Sequence, residues 1–394
     1  MSDKPKDGHG DPTWGLPSWA ITPGTHIFPY NRVIVREEEP STLIAFSLSA
    51  KARKRRQQAV KMRLRQEELA AEEGLGRSLT SPIKLHTQPR PSPHLKYKVT
   101  EKDWRFTCTI YYARAFHALR ARCGVDGWYA TALEGCERWV PEGGKSSSHF
   151  YRTRDGRLIL KQMVTRWTLT EKEALLDFAP SYLEYMLQAG GPTALAKIFG
   201  FYSLKYKNVA SGKTMRMDVL VMEHLFHHTP THTLTRTFDL KGIPTRWNVP
   251  GSTPRPEGTT PVLWDGDWLE GRNESTLLLH AHCKPILVDA IARDTAFLAR
   301  SNIMDYSLVV GVDPTRRELV VGLIDFIGAF TWYKKIESHG KRGAATGLWV
   351  LGASGKGVTD PASSVSVLPP QQYAERFRKA MENYFQSVPG RNLI

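Results

Sequence analysis

Short apolar runs separated by turn residues fill the middle of the chain and predict a β-rich region there. Two pairs of strands are predicted, and they cover residues 150–154 with 157–163 and residues 196–206 with 215–222. Asp155-Gly156 separates the first pair, and such a dipeptide is typical of tight two-residue hairpins. Between the pairs, residues 170–188 carry apolar side chains at helical spacing. The pattern predicts an antiparallel sheet with one helix.

The later part of the chain mixes helical and strand patterns. Residues 243–275 are rich in Pro, Gly and Trp and are expected to form a long connection, whereas residues 286–299 show helical spacing. Two strands and a long loop at about 333–366 are predicted next. Pro370 then opens a last amphipathic helix. The fold class expected from these elements is α+β, with two lobes.

The N-terminal region differs from both lobes. A run without Gly or Pro extends from Ser41 to Glu73, ends at Gly74 and contains many Lys and Arg residues, which predicts a basic helix. It suits a solvated helix face or a surface that binds a membrane or nucleic acid. Four segments are expected: a disordered tail at 1–28, an N-terminal strand, basic helix and linker at 29–95, a first lobe at 96–225 and a second lobe at 226–394.

Charge is the unusual feature of the composition. The 394 residues carry a formal net charge of +15, and such a field attracts nucleic acid, anionic membranes or phosphorylated substrates. The cysteines form no C-x-x-C pair, which argues against a zinc finger and a disulfide framework and favours a cytoplasmic setting. The N-terminus shows no apolar signal segment and no run is long enough to span a bilayer, so any membrane contact is expected to be peripheral.

Two aspartates in the later part of the chain are candidate site residues. Asp305 precedes the first of the two late strands and Asp325 follows the second. If these strands pair antiparallel, both carboxylates lie at the same end of the hairpin and can converge, about 5 Å being the spacing of adjacent strands. Convergent carboxylates need a cation or a proton between them, and Mg²⁺ would serve. The alternative is that both are ordinary carboxylates at strand ends.

The first lobe adds a phosphate-binding pattern. Gly143, Gly144, Lys145 and Ser146 form a predicted loop before a strand, and Lys161 lies within an apolar strand. Glycines let backbone N–H groups approach phosphates, although a plain turn would look the same. A lysine in an apolar strand is costly unless it meets an anion or extends to solvent. A glycine loop, a strand lysine and two late aspartates follow the order of kinase parts.

The motifs then resemble one family. The chain is similar to phosphatidylinositol phosphate kinases in residues 238–242 (FDLKG), 303–308 (IMDYSL), 322–328 (GLIDFIG) and 365–385. It most resembles the type III branch, the phosphatidylinositol 3-phosphate 5-kinases, in residues 35–46, 192–198 and 330–335. The resemblance implies the bilobal α+β fold of that family, limited to the kinase module, because four cysteines cannot build the zinc-bearing finger usual in that branch.

The resemblance also implies roles for individual residues. ATP would be held by Lys161, by the loop of Gly143, Gly144, Lys145 and Ser146, and by the backbone after Met222 and Glu223. Asp305 would be the catalytic aspartate, Asp325 would bind Mg²⁺, and Asp239 and Lys241 would act near the transferred phosphate. Glu171 or Glu173 would orient Lys161. Membrane contact is expected from the loop at 333–366, which holds Lys334, Lys335, Lys341, Arg342 and Lys356.

The implied function is a lipid kinase that acts on a phosphoinositide at an anionic membrane surface. Phosphatidylinositol 3-phosphate, phosphorylated at the 5-position, is the expected substrate, on endosomal or vacuolar membranes. Phosphatidylinositol 4-phosphate as substrate, a pseudokinase scaffold, a protein kinase and a nucleic-acid-binding protein are the alternatives, although no nucleic-acid partner is expected. Ser147 and Ile243 depart from the family pattern and leave the catalytic rate open. Regulatory protein partners also stay open.

Overall fold

The computed structural model of the chain describes ten stretches, and everything below refers to them: residues 33–36, 39–49, 92–101, 104–140, 149–163, 169–188, 190–229, 234–248, 261–327 and 368–388. They contain two main β-sheets, each packed against helices, and the fold class is α+β as predicted. Among these residues, no helix has the length and apolar content needed to cross a membrane.

The first sheet has seven strands in the order β1-β2-β6-β7-β5-β4-β3, and every neighbouring pair is antiparallel. The strands are β1 Leu95–Glu101, β2 Trp104–Ile110, β3 Cys136–Trp139, β4 Phe150–Thr153, β5 Leu158–Met163, β6 Ile198–Asn208 and β7 Thr214–Glu223. Both predicted hairpins are confirmed, since β4 pairs with β5 and β6 with β7.

Helices cover both faces of this sheet. They are α1 (residues 40–49), α2 Ala113–Arg122, α3 Asp126–Ala132 and α4 Leu169–Gln188. One core joins α1 and α3 to the sheet, and the other joins α2 and α4 to its opposite face. The prediction of one helix between 96 and 225 was wrong, because α2 and α3 also lie there. Helices of 10 and 7 residues give little periodic signal and depend on tertiary packing.

The second sheet is mixed and has the order β12-β11-β8-β9. Its strands are β8 Arg236–Leu240, β9 Val262–Leu263, β11 Ser307–Asp313 and β12 Glu318–Ile324, and it is accompanied by α5 Asp265–Gly271, α6 Cys283–Arg300 and α7 Pro370–Tyr384. The short strands β10 Leu279–His280 and β13 Ser387–Val388 pair in parallel. The stretch 243–275 was predicted as a plain connection, but it contains β9 and α5, which its glycines and prolines concealed.

One core is continuous between the two sheets. It includes Phe178 and Tyr182 of α4 and Phe297 of α6, and also Tyr373 and Phe377 of α7. The predicted apolar face of α7 is confirmed, since its tyrosine, phenylalanine and methionine positions are buried. The two sheets are therefore linked by packing as well as by the chain.

A buried carboxylate links these parts. Asp294 of α6 is fully buried and accepts hydrogen bonds from the Ala194 N–H at 2.6 Å, the Thr193 hydroxyl at 2.9 Å and the Tyr185 hydroxyl at 2.6 Å. Burial raises the pKa of Asp294, and these hydrogen bonds act in the opposite direction. The Leu323 N–H donates in turn to the Ala194 carbonyl. Asp294 thus ties α4 and α6 to the chain segment that borders β12.

Replacing Asp294 with Ala is expected to lower the free energy of unfolding by about 3 kcal/mol, because buried donors lose their acceptor. Asp289→Ala is the matched control, since Asp289 is exposed on the same helix. Chemical denaturation of both variants measures the difference. Equal stabilities of the two would contradict the role given to Asp294.

Candidate active site

A buried acidic side chain shapes the turn after β8. Asp265, at the start of α5, is fully buried, and its Oδ1 accepts the backbone N–H groups of Lys241, Gly242 and Ile243 at 3.1, 2.7 and 3.1 Å. Gly242 has a φ of 72°, in the left-handed region that favours glycine. An added Cβ there would lie 3.0 Å from the Cβ of Ala380 in α7. The turn therefore has one conformation that both its backbone and its surroundings fix.

Other polar groups complete the surroundings of Asp265. The Tyr384 hydroxyl lies 3.2 Å from Oδ1, and Arg246 Nη1 lies 3.5 Å from Oδ2. Burial raises the pKa of Asp265, whereas the backbone N–H groups and Arg246 act to lower it. A carboxylate that accepts this many hydrogen bonds can remain in the interior.

The turn brings Lys241 to Asp305. Lys241 Nζ lies 2.5 Å from Asp305 Oδ1 and donates to the Asp305 carbonyl at 2.9 Å. The Asp305 side chain is 46% exposed, so one of its oxygens binds the lysine while the carboxylate stays accessible. Two of the residues assigned to the site from the sequence therefore form one ion pair.

The predicted hairpin is confirmed. Strands β11 and β12 pair antiparallel with Ser307 opposite Ile324, so Asp305 and Asp325 leave the sheet from the same end. Both have positive φ values, 62° and 61°. A left-handed backbone at a residue other than glycine costs about 1–3 kcal/mol, and such residues concentrate at functional sites. Asp325 is exposed, and no ion pair joins it to another residue of the described stretches.

Asp239 is held by an arginine on the other side of the turn. Arg246 donates to Asp239 Oδ2 at 3.0 Å and to the Asp239 carbonyl at 2.8 Å, and its guanidinium lies 4.6 Å from the Trp264 ring centroid. Asp239 Oδ1 is buried and has no hydrogen-bond partner in the part of the chain that the structure describes. Buried carboxylate oxygens without a donor are uncommon, so this oxygen is a polar group that the described residues leave unsatisfied.

Helix α7 packs against both the D-L-K-G turn and the segment that carries Asp305. Its Tyr373 hydroxyl donates to the Tyr306 carbonyl at 2.5 Å, directly after Asp305. Arg376 Nη2 lies 3.4 Å from the Lys241 carbonyl. The residue Ala380 packs against Gly242, as noted above.

Lys161 lies on β5 of the seven-stranded sheet, between Phe150 of β4 and Leu220 of β7. Its Nζ lies 5.7 Å from the Phe150 ring centroid, and no carboxylate of the described residues forms an ion pair with it. Glu173 is exposed and has no such contact, and the Glu171 side chain lies outside the described residues. The orientation of Lys161 by either glutamate thus stays a prediction.

The segment after β7 has backbone donors that no acceptor among the described residues binds. The Glu223 N–H donates to the Lys197 carbonyl and the His224 N–H to the Arg157 carbonyl, at 2.9 and 3.0 Å. The Leu225 N–H has no acceptor among the described residues. The Glu223 carboxylate binds Lys197 Nζ at 3.0 Å, which fixes the segment against β6. A planar ring with an acceptor nitrogen could bind at Leu225, next to the predicted Met222 and Glu223.

Several predicted positions lie outside the described residues. They are Gly143, Gly144, Lys145 and Ser146 of the glycine loop, and Lys334, Lys335, Lys341, Arg342 and Lys356 of the long loop. No group of three or more His, Cys, Asp or Glu residues able to hold a metal ion occurs within the described stretches.

Sequence reasoning missed Asp265 and Arg246. Asp265 lies in a stretch rich in tryptophan and glycine, where nothing marks one acidic residue as buried. The sequence did carry one signal: the D-L-K-G turn follows a strand, so its backbone N–H groups need an acceptor from elsewhere in the chain. Only the three-dimensional contact identifies which carboxylate supplies it.

Comparison of the chain with known proteins identifies a matching family. Residues 134–320 match the family model described as phosphatidylinositol-4-phosphate 5-kinase. The chain is 39% identical over 307 residues to 1-phosphatidylinositol 3-phosphate 5-kinase FAB1 of Saccharomyces cerevisiae, and the alignment covers 76% of this chain and 12% of that protein. It is 39% identical over 303 residues to the 1-phosphatidylinositol 3-phosphate 5-kinase of Homo sapiens, which covers 76% of this chain and 14% of the human protein.

A plant relative gives the same picture. The 1-phosphatidylinositol-3-phosphate 5-kinase FAB1B of Arabidopsis thaliana is 40% identical over 290 residues, or 72% of this chain and 15% of the plant protein. The chain therefore aligns with only about an eighth to a seventh of the length of these relatives. The D-L-K-G turn, Asp305 and the strand of Lys161 all fall within residues 134–320. Through this kinase module the chain belongs to the phosphatidylinositol phosphate kinase family.

Proposed function

We propose that this chain is a lipid kinase that transfers the γ-phosphate of ATP to the inositol ring of a phosphoinositide. The observation that supports this most directly is the ion pair of Lys241 with Asp305, formed by a turn that Asp265 holds, at the end of the hairpin that carries Asp325. Phosphoryl transfer depends mainly on positioning and on charge stabilisation, and these residues supply both.

Asp305 is the proposed acceptor of the proton from the attacking hydroxyl. Its Oδ1 binds Lys241, and its Oδ2 has no hydrogen-bond partner among the described residues. The second oxygen can therefore receive the proton while the lysine keeps the carboxylate in place. Lys241 remains near the developing negative charge of the transferred group, where a cation stabilises the transition state.

ATP and Mg²⁺ are the proposed cofactors. The exposed carboxylate of Asp325 fits a magnesium ion, which needs only one or two carboxylates besides phosphates and water. When bound, the ion would supply charge neutralisation for the phosphates. Lys161 would contact the α- and β-phosphates, and the Leu225 N–H would receive the adenine ring. The glycine loop of residues 143–146 is proposed to cover the phosphates.

Phosphatidylinositol 3-phosphate, phosphorylated at the 5-position, is the proposed substrate. The three relatives named above are 3-phosphate 5-kinases by name, whereas the family model carries a 4-phosphate 5-kinase description. The 4-phosphate is therefore the runner-up. The departure at Ile243 leaves the turn intact, because Ile243 is buried and its N–H still donates to Asp265.

A membrane surface is the proposed site of action, on endosomes or vacuoles, and the charge of the first sheet supports it. Where α4 does not cover the sheet, one face of strands β1, β2, β6 and β7 is exposed. Its cations have no ion pair among the described residues and are Lys96, Lys98, Arg105, Lys205, Lys207 and Arg216. Lys205 lies directly opposite Arg216, and Arg105 lies opposite Lys207. Like charges opposite each other weaken a sheet, so a large anionic surface is their natural partner.

The proposed catalytic roles predict large losses of turnover when the charged side chains are replaced. Lys161→Ala, Asp305→Asn and Asp325→Asn are each expected to lower turnover by roughly 100-fold or more without unfolding the protein, since each removes a charged participant. The assay uses purified protein, labelled ATP and vesicles that each carry one phosphoinositide, with identification of the product isomer. Near-normal magnesium-dependent turnover by Asp325→Asn would show that the site is wrongly assigned, and a product other than the 3,5-bisphosphate would change the substrate.

Reversing charges on the exposed sheet face is expected to weaken action on anionic vesicles in the same way as added salt. Lys205→Glu with Arg216→Glu is expected to reduce phosphorylation on anionic vesicles about tenfold or more and to leave ATP affinity unchanged, because screening by salt weakens the same attraction. Arg300→Glu with Lys379→Glu changes the charge equally at exposed positions of α6 and α7 and serves as the control. Equal losses in both pairs would mean that net charge, rather than this face, matters.

The long loop offers a second membrane contact. Lys334→Glu with Lys335→Glu is expected to weaken action on vesicles far more than ATP binding, for the same electrostatic reason. Vesicle sedimentation and ATP titration of this variant measure the two effects separately. Undiminished lipid phosphorylation would show that the loop does not dock the enzyme.

A further inference from the structure

Helix α4 is attached to the first sheet by a lysine. Lys172 Nζ lies 2.8 Å from Asp218 Oδ1 and 2.6 Å from the Ser203 hydroxyl. It also lies 5.0 Å from the Tyr111 ring centroid, and the Tyr111 hydroxyl is 3.1 Å from Ser203. The Ser203 hydroxyl itself donates to Asp218 in a short hydrogen bond. The helix supplies the cation and strand β7 supplies the carboxylate.

Asp218 lies close to Lys161 on the same face of the sheet. In the register of β5 and β7, Lys161 is opposite Leu220, and Asp218 is opposite Met163. Residues opposite each other share a face, so Lys161 and Asp218 are diagonal neighbours on adjacent strands. Such positions are about 7–8 Å apart and within reach of long side chains. A lysine at 161 could therefore extend to Asp218.

The charges around Asp218 favour its present pairing. Asp218 is buried, at 9% exposure, so its carboxylate needs a cation or donors nearby. Burial acts to lower the pKa of Lys172, but the hydrogen bond and the charge of Asp218 outweigh it and the pKa is raised. Lys161, in contrast, has no ion pair with any carboxylate of the described residues. Lys172 thus holds the buried carboxylate, while Lys161 and Lys205 are its diagonal neighbours on the two adjacent strands.

We propose that Lys172 is a positioning residue that occupies Asp218 and thereby keeps the ammonium group of Lys161 available for the phosphates of ATP. The inference rests on the proposed role of Lys161. Without Lys172, the buried carboxylate attracts the cations that remain on its face. Lys205 and Arg216 among them are exposed and screened by solvent, whereas Lys161 is only partly exposed and is therefore the strongest competitor. The captured lysine is then withdrawn from ATP. The effect of Lys172 on the reaction therefore passes through Asp218, and it disappears when Asp218 loses its charge.

A double-mutant cycle tests this dependence. Lys172→Met is expected to raise the KM for ATP and lower kcat, with kcat/KM reduced roughly tenfold or more. Asp218→Asn alone should stay within about threefold of the wild type, because no anion then competes for Lys161. The variant with both changes should recover to the level of Asp218→Asn. Lys172→Arg keeps the cation and should behave as the wild type.

Three outcomes decide the proposal. A double variant as impaired as Lys172→Met, or more impaired, overturns it, since the loss then does not depend on the charge of Asp218. A wild-type kcat/KM in Lys172→Met also overturns it. If Lys172→Met does not fold, as thermal unfolding would show, the double variant is compared with Asp218→Asn, and a kcat/KM more than about threefold below that single variant counts against the proposal.

The variant Lys161→Ala distinguishes failure of the proposed function from failure of the role proposed for Lys172. If Lys161→Ala retains full turnover, Lys161 has no role in the reaction and the lipid-kinase assignment of this site falls. If Lys161→Ala is inactive but the double variant shows no recovery, the assignment of Lys161 stands and only the role of Lys172 is overturned. ATP titration of each variant without lipid gives the same comparison independently of membrane docking.

Discussion

The geometry of the candidate site depends on one buried carboxylate that accepts hydrogen bonds from the backbone. Asp265 accepts three successive N–H groups of the turn from Lys241 to Ile243, and each of these groups would otherwise lack a partner inside the protein. With the turn fixed, Lys241 can reach Asp305 only from one direction. The ion pair is thus a result of main-chain hydrogen bonding rather than of side-chain attraction alone. An isolated pair so exposed would contribute about 0–1 kcal/mol to stability and would position little.

The geometry of the candidate site also depends on helix α7, near the end of the described residues. Its tyrosines contact Asp265 and the backbone next to Asp305, and Ala380 packs against Gly242. Residues 328–367, which connect the segment after β12 to α7, lie outside the described stretches. Through these contacts, any displacement of α7 would act on Lys241, Asp265 and the Asp305 segment together. The residues of the candidate site form a cooperative unit, since the same side chains of α7 and α5 support them.

The elements that could be predicted are those with local signals. Asp155-Gly156 marked the first hairpin, and the spacing of Tyr373, Phe377, Met381 and Tyr384 marked α7, because turn chemistry and helical periodicity depend on nearby residues. The pairing of β11 with β12 followed from two strands joined by a short turn. Asp265 could not be predicted, since its partners lie more than twenty residues away and its helix is only seven residues long. Lys172 and Asp218 likewise meet across 46 residues.

The left-handed backbone at Asp305 and Asp325 has an evolutionary consequence. Glycine adopts positive φ without penalty, so glycine at either of these two positions would relieve the backbone while removing the carboxylate. Loss of catalysis here would come with a gain in folding stability. Selection on activity, and not on folding, would then be needed to retain both aspartates. A lineage released from that selection would drift readily toward a stable, inactive scaffold.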